Sequence, residues 1–351
     1  MAKVAYVDHS YHKKTVSTKF IPEILKSYGH DVDFFWDESW QGGKSVDFYS
    51  LLSYDSIIMF QSFCDIKDGD FYSKLHDNVT YIPMLDQFGV WRGPINNTEN
   101  FWKKFQGSKV VNFSMVSHGI TIGAGIRSEL FRFYREPLKK VSSTDGLNGF
   151  LWIRLEDEIS WKKVKLLIGE TKFNAFHIHI AKDPNSSEIQ MPPEEDIKKY
   201  NITISTWFED KEEFYSILDN ANVYFVPRME EGIGQSFLEA FSRGQCVVAP
   251  NNGTMNEYIQ DGFTGLLYDY NNMKALDFSQ VESIRKNTYE SCKIGYYNWL
   301  MSHCKLVNYI MTKNYDAYYS RYNYFDENAI YNKKYLNVKK IIKKIINKLY
   351  K

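Results

Sequence analysis

NVYFVPRMEEGIGQSFLEAFSRGQCVVAPNNGTMNEYIQDGFTGLLYD, residues 222–269, is the stretch that settles the architecture. It opens on a short apolar run, NVYFVP, which ends at Pro227 and reads as a strand buried on both faces. A loop then offers Glu230, expected in solvent, and Glu231, followed by Gly232 and Gly234, where the backbone can approach a ligand closely. A helix is predicted from about Gln235 through SFLEAFSRG. Its first amides have no partner inside the helix and its dipole is positive there, so the turn suits a phosphate. Glu239 lies four residues further on. QCVVAP and LLYD read as further strands, with a helix predicted over TMNEYIQ between them. Two carboxylates flanking a phosphate-binding helix start suit a ligand with hydroxyls on both sides of a phosphate, as in a nucleotide-sugar.

The same alternation extends to both sides. Upstream, GFLWIRL (149–155), AFHIHIAK (175–182) and NITIST (201–206) read as strands, with helices over WKKVKLLIGE and DKEEFYSILDNA. A polar stretch, residues 141–149 (VSSTDGLNG), reads as a linker between domains. Before it, KVAYVD (3–8), DVDFFW (31–36), SIIMFQS (56–62), TYIPMLD (80–86) and KVVNFSM (109–115) are strand candidates. TKFIPEILKSYG supplies an amphipathic helix that stops at Gly29. Strand–helix alternation repeated twice predicts two α/β domains with mainly parallel sheets, and 351 residues suit two cores of ordinary size. Ligands of such sheets sit beyond the carboxyl ends of the strands, so the loops that follow them carry the site.

Charge is balanced overall, with 43 basic and 43 acidic residues, but unevenly spread. Residues 333–351 hold eight lysines and no acid, so an acidic body precedes a basic tail. That distribution argues against a nucleic-acid partner, whose proteins carry basic residues across the body. Cys64, Cys246, Cys292 and Cys304 are widely spaced and form no CxxC pair, which predicts reduced thiols in a cytoplasmic protein rather than disulfides or zinc. The start, MAKVAYVDHS, lacks the apolar core of a signal peptide, and no apolar run is long enough to span a membrane.

The quoted stretch resembles the family 4 retaining glycosyltransferases of the GT-B fold. Their signature is a Glu-x7-Glu motif inside a pattern like PS-x-x-EGFG-x-x-x-LEAMA-x-G-x-PVVA. PRMEEGIGQSFLEAFSRGQCVVA matches it, with Glu231 and Glu239 at the two glutamate positions. NNGTMNEYIQDGFTG matches the downstream pattern through Glu257, Gly262 and Gly265. A second match is GFLWIRLEDEISWKKVKLLI, which places Arg154 at a strand end and Lys162, or Lys163 in the neighbouring register, at the next helix start. KSYGHDVDFF is similar to the family's entry to its second strand. The first domain departs from the family where a Gly-Gly loop usually follows the first strand. Here that loop is HSYHKKTVSTKF, without glycine, and Lys13, Lys14, Thr15 or Ser17 stand as substitutes.

The resemblance implies two Rossmann-like domains facing a central cleft: residues 1–145 on the acceptor side, 146–310 on the donor side, and 311–332 returning as a helical segment toward the first domain. Glu231 would hold the hydroxyls of the donor sugar and Glu239 those of the ribose, with Gly232, Gly234, Gln235, Asn252 and Gly253 lining the donor. Arg154, Lys162 and the helix start would stabilise the departing nucleoside diphosphate. Asp86 and His118, the latter in the loop VSHGITIGAG, face the acceptor on this reading. No metal or cofactor is expected, and Asp68-Gly69-Asp70 reads as a solvated acidic loop rather than a metal-binding DxD.

Val338, Ile341, Ile342, Ile345, Ile346 and Leu349 fall on one stripe of a helix, with Lys339, Lys340, Lys343, Lys344 and Lys348 around the rest. Such a helix lies in the plane of an anionic membrane surface. The expectation is therefore a glycosyltransferase peripheral to the inner face of the cytoplasmic membrane, acting on a saccharide or lipid-linked acceptor in surface polysaccharide synthesis. Packing of the stripe on the protein's own body or in a homodimer is the alternative. The rival functions are a nucleotide-sugar epimerase of the same architecture and an inactive accessory subunit.

Overall fold

The alternation of short apolar runs with helices closes into two separate parallel sheets. The structure is a computed structural model and describes all residues except 16, 40–41, 64–77, 89–100, 103–104, 106, 139–145, 183–186, 209 and 314–351. Asp68, Asp70, Cys64, most of the linker and the basic tail therefore lie outside the described residues.

In the first half, β1 (Lys3–His9), β2 (Asp31–Asp37), β3 (Ser56–Phe60), β4 (Val79–Ile82), β5 (Lys109–Asn112) and β6 (Arg127–Leu130) lie in the order β2-β1-β3-β4-β5-β6. Every neighbouring pair is parallel. β3, β4 and β5 are buried along their whole length, as strands covered by other elements on both faces must be. The helices are α1 (His12–Thr15), α2 (Phe20–Ser27) and α3 (Met115–Gly123). Two details differ from the sequence reading. β5 ends at Asn112, so VSHGITIG belongs to a helix rather than a loop, and RSEL forms a sixth strand. RSEL escaped notice because it is polar and half-exposed, as a sheet edge often is.

In the second half, β7 (Asn148–Ile153), β8 (Ala175–Ile180), β9 (Ile202–Ser205), β10 (Val223–Phe225), β11 (Cys246–Pro250) and β12 (Leu266–Tyr268) lie in the order β12-β11-β10-β7-β8-β9. All are parallel, and each coincides with an expected strand. Helices α4 (Trp161–Ile168), α5 (Glu194–Lys199), α6 (Lys211–Asp219) and α7 (Gln235–Ser242) connect them. TMNEYIQ shortens to one tight turn, Met255–Glu257. In each sheet the strand order reverses beside the first strand, between β1 and β3 and between β10 and β7. These are the points where open α/β sheets bind ligands.

Two apolar clusters fill the outer layers, one per sheet. A third is continuous between the domains, joining Tyr6, Phe60 and Met84 of the first to Ile233, Phe237 and Tyr224 of the second. Helix α8 (Val281–Met311) binds the halves together. It spans about 46 Å at 1.5 Å per residue. Val281 and Ile284 begin it in the core of the second domain. Trp299 then packs edge-on against Phe20, Phe113 and Phe133 of the first. At its far end the Ser56 hydroxyl and the Lys109 ammonium donate to the Ile310 carbonyl at 3.2 and 2.9 Å. Residues 281–311 thus already reach the first domain, and the segment expected to return toward it, 311–332, lies almost wholly outside the described residues. Among the described residues no helix is long and apolar enough to cross a membrane. Cys246, Cys292 and Cys304 are free thiols.

Candidate active site between the two domains

β10 is followed by a loop that the fold buries and pins rather than leaving to solvent. Glu230 and Glu231 are each 7% exposed. Glu230, expected in water, is instead buried beside its neighbour. The Thr254 hydroxyl donates to the carbonyls of Glu231 and Gly232 at 2.5 and 3.2 Å. The Asn252 amide donates to the Met229 carbonyl at 2.9 Å, and the Met229 N–H donates to Glu158 Oε2 at 3.0 Å. Gly234 caps α7 in the left-handed region, with φ of 76°. A side chain there would be strained and would stand 1.9 Å from the Phe237 ring. Gly232 meets the other domain, since a Cβ would lie 2.5 Å from Met84 Sδ. Gly253 does likewise, with Val116 and Leu85 at 3.0 and 3.1 Å from an added Cβ.

Three of the groups expected to act on the donor, Glu231, Glu239 and Arg154, lie near one buried tyrosine of this turn. Burial drives the Tyr224 hydroxyl, beneath α7, well above its ordinary pKa; Ser236 opposes this, Glu231 and Glu239 add to it, and Arg154 opposes it. Glu231, Glu239 and Arg154 therefore all act electrostatically on one buried phenol. Arg154 follows β7 and lies over the Trp152 ring at 5.3 Å. Glu239 pairs with Arg243 at 3.0 Å on its own helix and with Arg135, from the segment after β6, at 3.8 Å. Arg135 also donates to Gln235 Oε1 at 3.2 Å, and Gln235 Nε2 donates to the Ser17 carbonyl at 3.4 Å. The start of α7 is thus held from the first domain at two points.

α4 begins at Ser160, whose side chain accepts from the Lys163 N–H. Lys163 is engaged in holding the preceding loop, since its ammonium donates to the carbonyls of Asp157 and Glu158 and to the Tyr270 hydroxyl. Lys162 is exposed. Of the two registers, only Lys162 is left available to a ligand among the described residues.

On the first domain, Asp86 stands in a tight turn after β4 and pairs at 2.9 Å with Arg228, which follows Pro227. His118 lies one turn into α3, where Nδ1 meets the Ser128 hydroxyl of β6 at 2.8 Å; burial lowers its pKa. That places it in the Asn112–Thr121–Ser128 network of the sheet edge. Glu257 crosses from the second domain to cap α3, accepting from the Ser114 hydroxyl at 2.8 Å and from the Met115 N–H at 2.8 and 2.9 Å. It also pairs with Arg132 at 3.1 Å. Glu257 is therefore a brace between domains.

Arg132, Arg135 and Arg228 went unnoticed in the sequence. A signal existed for Arg228, which stands where the family pattern has Ser. None existed for the other two, because their partners lie more than a hundred positions away. Among the described residues, one group with metal-ligand chemistry occurs: Asp8 and His9, at the end of β1, with His12 just beyond it. Its carboxylate accepts the His9 N–H and the Thr18 hydroxyl and lies 2.7 Å from His12 Nδ1.

Residues 190–292, which include the Glu231 turn, α7 and the Glu257 brace, match the family described as Glycosyl transferases group 1. Over these residues the chain is similar to that family. The described residues have the GT-B fold. The sucrose-phosphate synthase of Thermosynechococcus elongatus superposes with a TM-score of 0.61 at 14% identity, over 87% of this chain and 97% of that one. A glycosyltransferase of Rickettsia africae gives 0.58 at 14% identity, over 88% and 98%. HepE of Anabaena, solved in complex with UDP-glucose, gives 0.55 at 11% identity, over 88% and 99%. At such identities the likeness is one of fold. No curated protein matches the sequence.

Proposed function

We propose that the protein is a retaining glycosyltransferase that takes its sugar from a nucleotide-sugar held by the second domain. The observation that carries this reading is the buried turn from Glu231 to Gly234 running into α7, with Glu239 and Arg154 beside it. Free amides at the start of α7 and the Arg154 and Lys162 charges stabilise the diphosphate as the sugar–oxygen bond breaks. Glu231 holds the sugar hydroxyls and Glu239 the ribose hydroxyls. Retention is supported by the Glu-x7-Glu resemblance, and the acceptor's proton passes to the departing phosphate on the same face. Side-chain charges and the helix start would neutralise the diphosphate, and by the resemblance no metal is expected.

The acceptor is a saccharide, lipid-linked and met at the inner face of the cytoplasmic membrane, in surface polysaccharide or glycoconjugate synthesis. Support comes from the sequence of residues 333–351, where an apolar stripe is surrounded by lysines. Each lysine near an anionic surface contributes about 1 kcal/mol. Deleting residues 333–351 is expected to abolish sedimentation with phosphatidylglycerol vesicles; unchanged sedimentation sinks the membrane assignment.

Release of nucleoside diphosphate from a panel of nucleotide-sugars tests the main reading. Slow release by the purified chain, lost in Glu231→Ala, supports a transferase. An epimerase would convert the sugar without releasing diphosphate, and an inactive accessory subunit would do neither.

A further inference from the structure

The run Asp8-His9-Ser10-Tyr11-His12 sets two histidines three positions apart where β1 gives way to α1. That turn brings their rings together, with centroids 3.9 Å apart. His12 Nδ1 lies 2.7 Å from Asp8 Oδ1, and Asp8 is fully buried. One ring nitrogen of each histidine and one Asp8 oxygen fall within 4.8 Å of one another. Buried carboxylates are paired with a cation or coordinate a metal. Among the described residues the ion-pair partner of Asp8 is the His12 imidazole rather than a lysine or arginine. The surroundings hold all three side chains in place. The Thr18 hydroxyl donates to Asp8 Oδ2 at 2.7 Å, and the His9 N–H donates to Oδ1 at 2.8 Å. His9 Nε2 bonds Gln61, just after β3, at 3.1 Å. Outer contacts of this kind orient the ligands of a metal. The His12 side chain is 12% exposed, which gives an ion a way in from solvent.

We propose that Asp8, His9 and His12 form a zinc site of the first domain, separate from the donor turn of the second. One carboxylate oxygen and two imidazole nitrogens suit zinc, whereas magnesium and calcium are held by oxygen ligands. Ligand atoms about 2.0–2.1 Å from a tetrahedral zinc stand roughly 3.3 Å apart. A shift of about 1 Å in the rings brings the three atoms to that spacing. His12 can follow such a shift because it opens a helix of only four residues, α1. Three protein ligands leave the fourth position to water. The ion ties the start of α1 to the end of β1 and neutralises the buried carboxylate. It takes no part in the transfer chemistry proposed above, and its loss would leave the Glu231 turn unchanged.

The test is calorimetric titration of the full chain, stripped with a chelator, with zinc chloride and separately with magnesium chloride. Wild type is expected to bind one zinc that His9→Ala and His12→Ala each lose, with affinity down more than about 100-fold, beyond the range of an outer contact. Thr18→Val, which removes only the hydroxyl on Asp8, is expected to weaken zinc about 10-fold. Zinc raises the melting temperature of the wild type and leaves that of His12→Ala where it was. His12→Ala carries the comparison if His9→Ala does not fold, and His12→Gln if neither does. A wild type that binds no zinc overturns the proposal. So does zinc held equally by wild type, His9→Ala and His12→Ala, which would put the ion elsewhere on the chain. Magnesium bound as tightly as zinc rules out imidazole coordination, and the proposal with it.

Discussion

Residues 226–234 and residues 10–19 both leave the carboxyl end of a buried parallel strand beside the place where its sheet reverses order. The first loop is built from backbone: two glycines, one of them left-handed, and carbonyls tied by Thr254 and Asn252. The second is built from side chains: Asp8 at its root, with His9, His12 and Thr18 arranged around one carboxylate. Topology thus fixes where a ligand loop must be, while the chemistry placed there is free to differ. Backbone amides point at a phosphate without any side chain to order, but they demand glycine.

Substitutions can break that contrast at its strongest point. Glu231→Ala removes a carboxylate from the glycine turn and is expected to lower transfer about 10²–10³-fold, read as nucleoside diphosphate release. A rate within threefold of wild type would mean that the turn is not the donor site. Gly234→Ala strains the left-handed cap and drives a methyl into Phe237, at a cost of about 3 kcal/mol in urea unfolding. An alanine in place of Ser10, in the other loop, should change stability by less than about 0.5 kcal/mol.

A pH series sharpens the difference between the domains themselves. Burial pushes His177 and His179, both on β8, down to about 4. The unfolded chain takes up their protons near 6.5, while the folded domain keeps them neutral down to about 4. The stability they contribute is therefore complete above about pH 6.5 and is lost as pH falls toward 4. For His179, 3% exposed, the loss is at most about 3 kcal/mol. Urea midpoints measured from pH 7 to 4.5 should show this slope, and His179→Gln should flatten it.

The smallest effect concerns the joint. Asp86→Ala removes a half-buried ion pair to Arg228 and is expected to cost about 1 kcal/mol, with a larger radius of gyration in X-ray scattering as the domains part. An unchanged radius would show that Met84 on Gly232 and the Glu257 brace hold the cleft without it.

Much of this was visible in the order of residues. Apolar runs of four to seven residues separated by amphipathic stretches marked β1 to β5 and β7 to β12, since strands covered on both faces have no polar alternation to disguise them. The polar edge strand β6 and the helix over His118 were missed, because half-exposed elements carry weaker periodicity. Glu231, Gly234 and Glu239 could be placed because one strand, one turn and one helix bring them together within a few residues. Local backbone geometry is sufficient for that.

The rest depended on distance in the chain. Asp86 meets Arg228, Glu257 meets Ser114 and Arg132, and Arg135 meets Glu239 only because two sheets face each other across a cleft and α8 ties them. The burial of Asp8 was hidden for a related reason. A carboxylate at a strand end looks ordinary until its fold shows it fully buried, with His12 and Thr18 both donating to it. Patterns within about ten residues encode strands, caps and glycine turns, because hydrogen bonds and steric limits act locally. Which side chains share a buried, water-poor space is a property of packing, and it exists only once both domains have closed on one another.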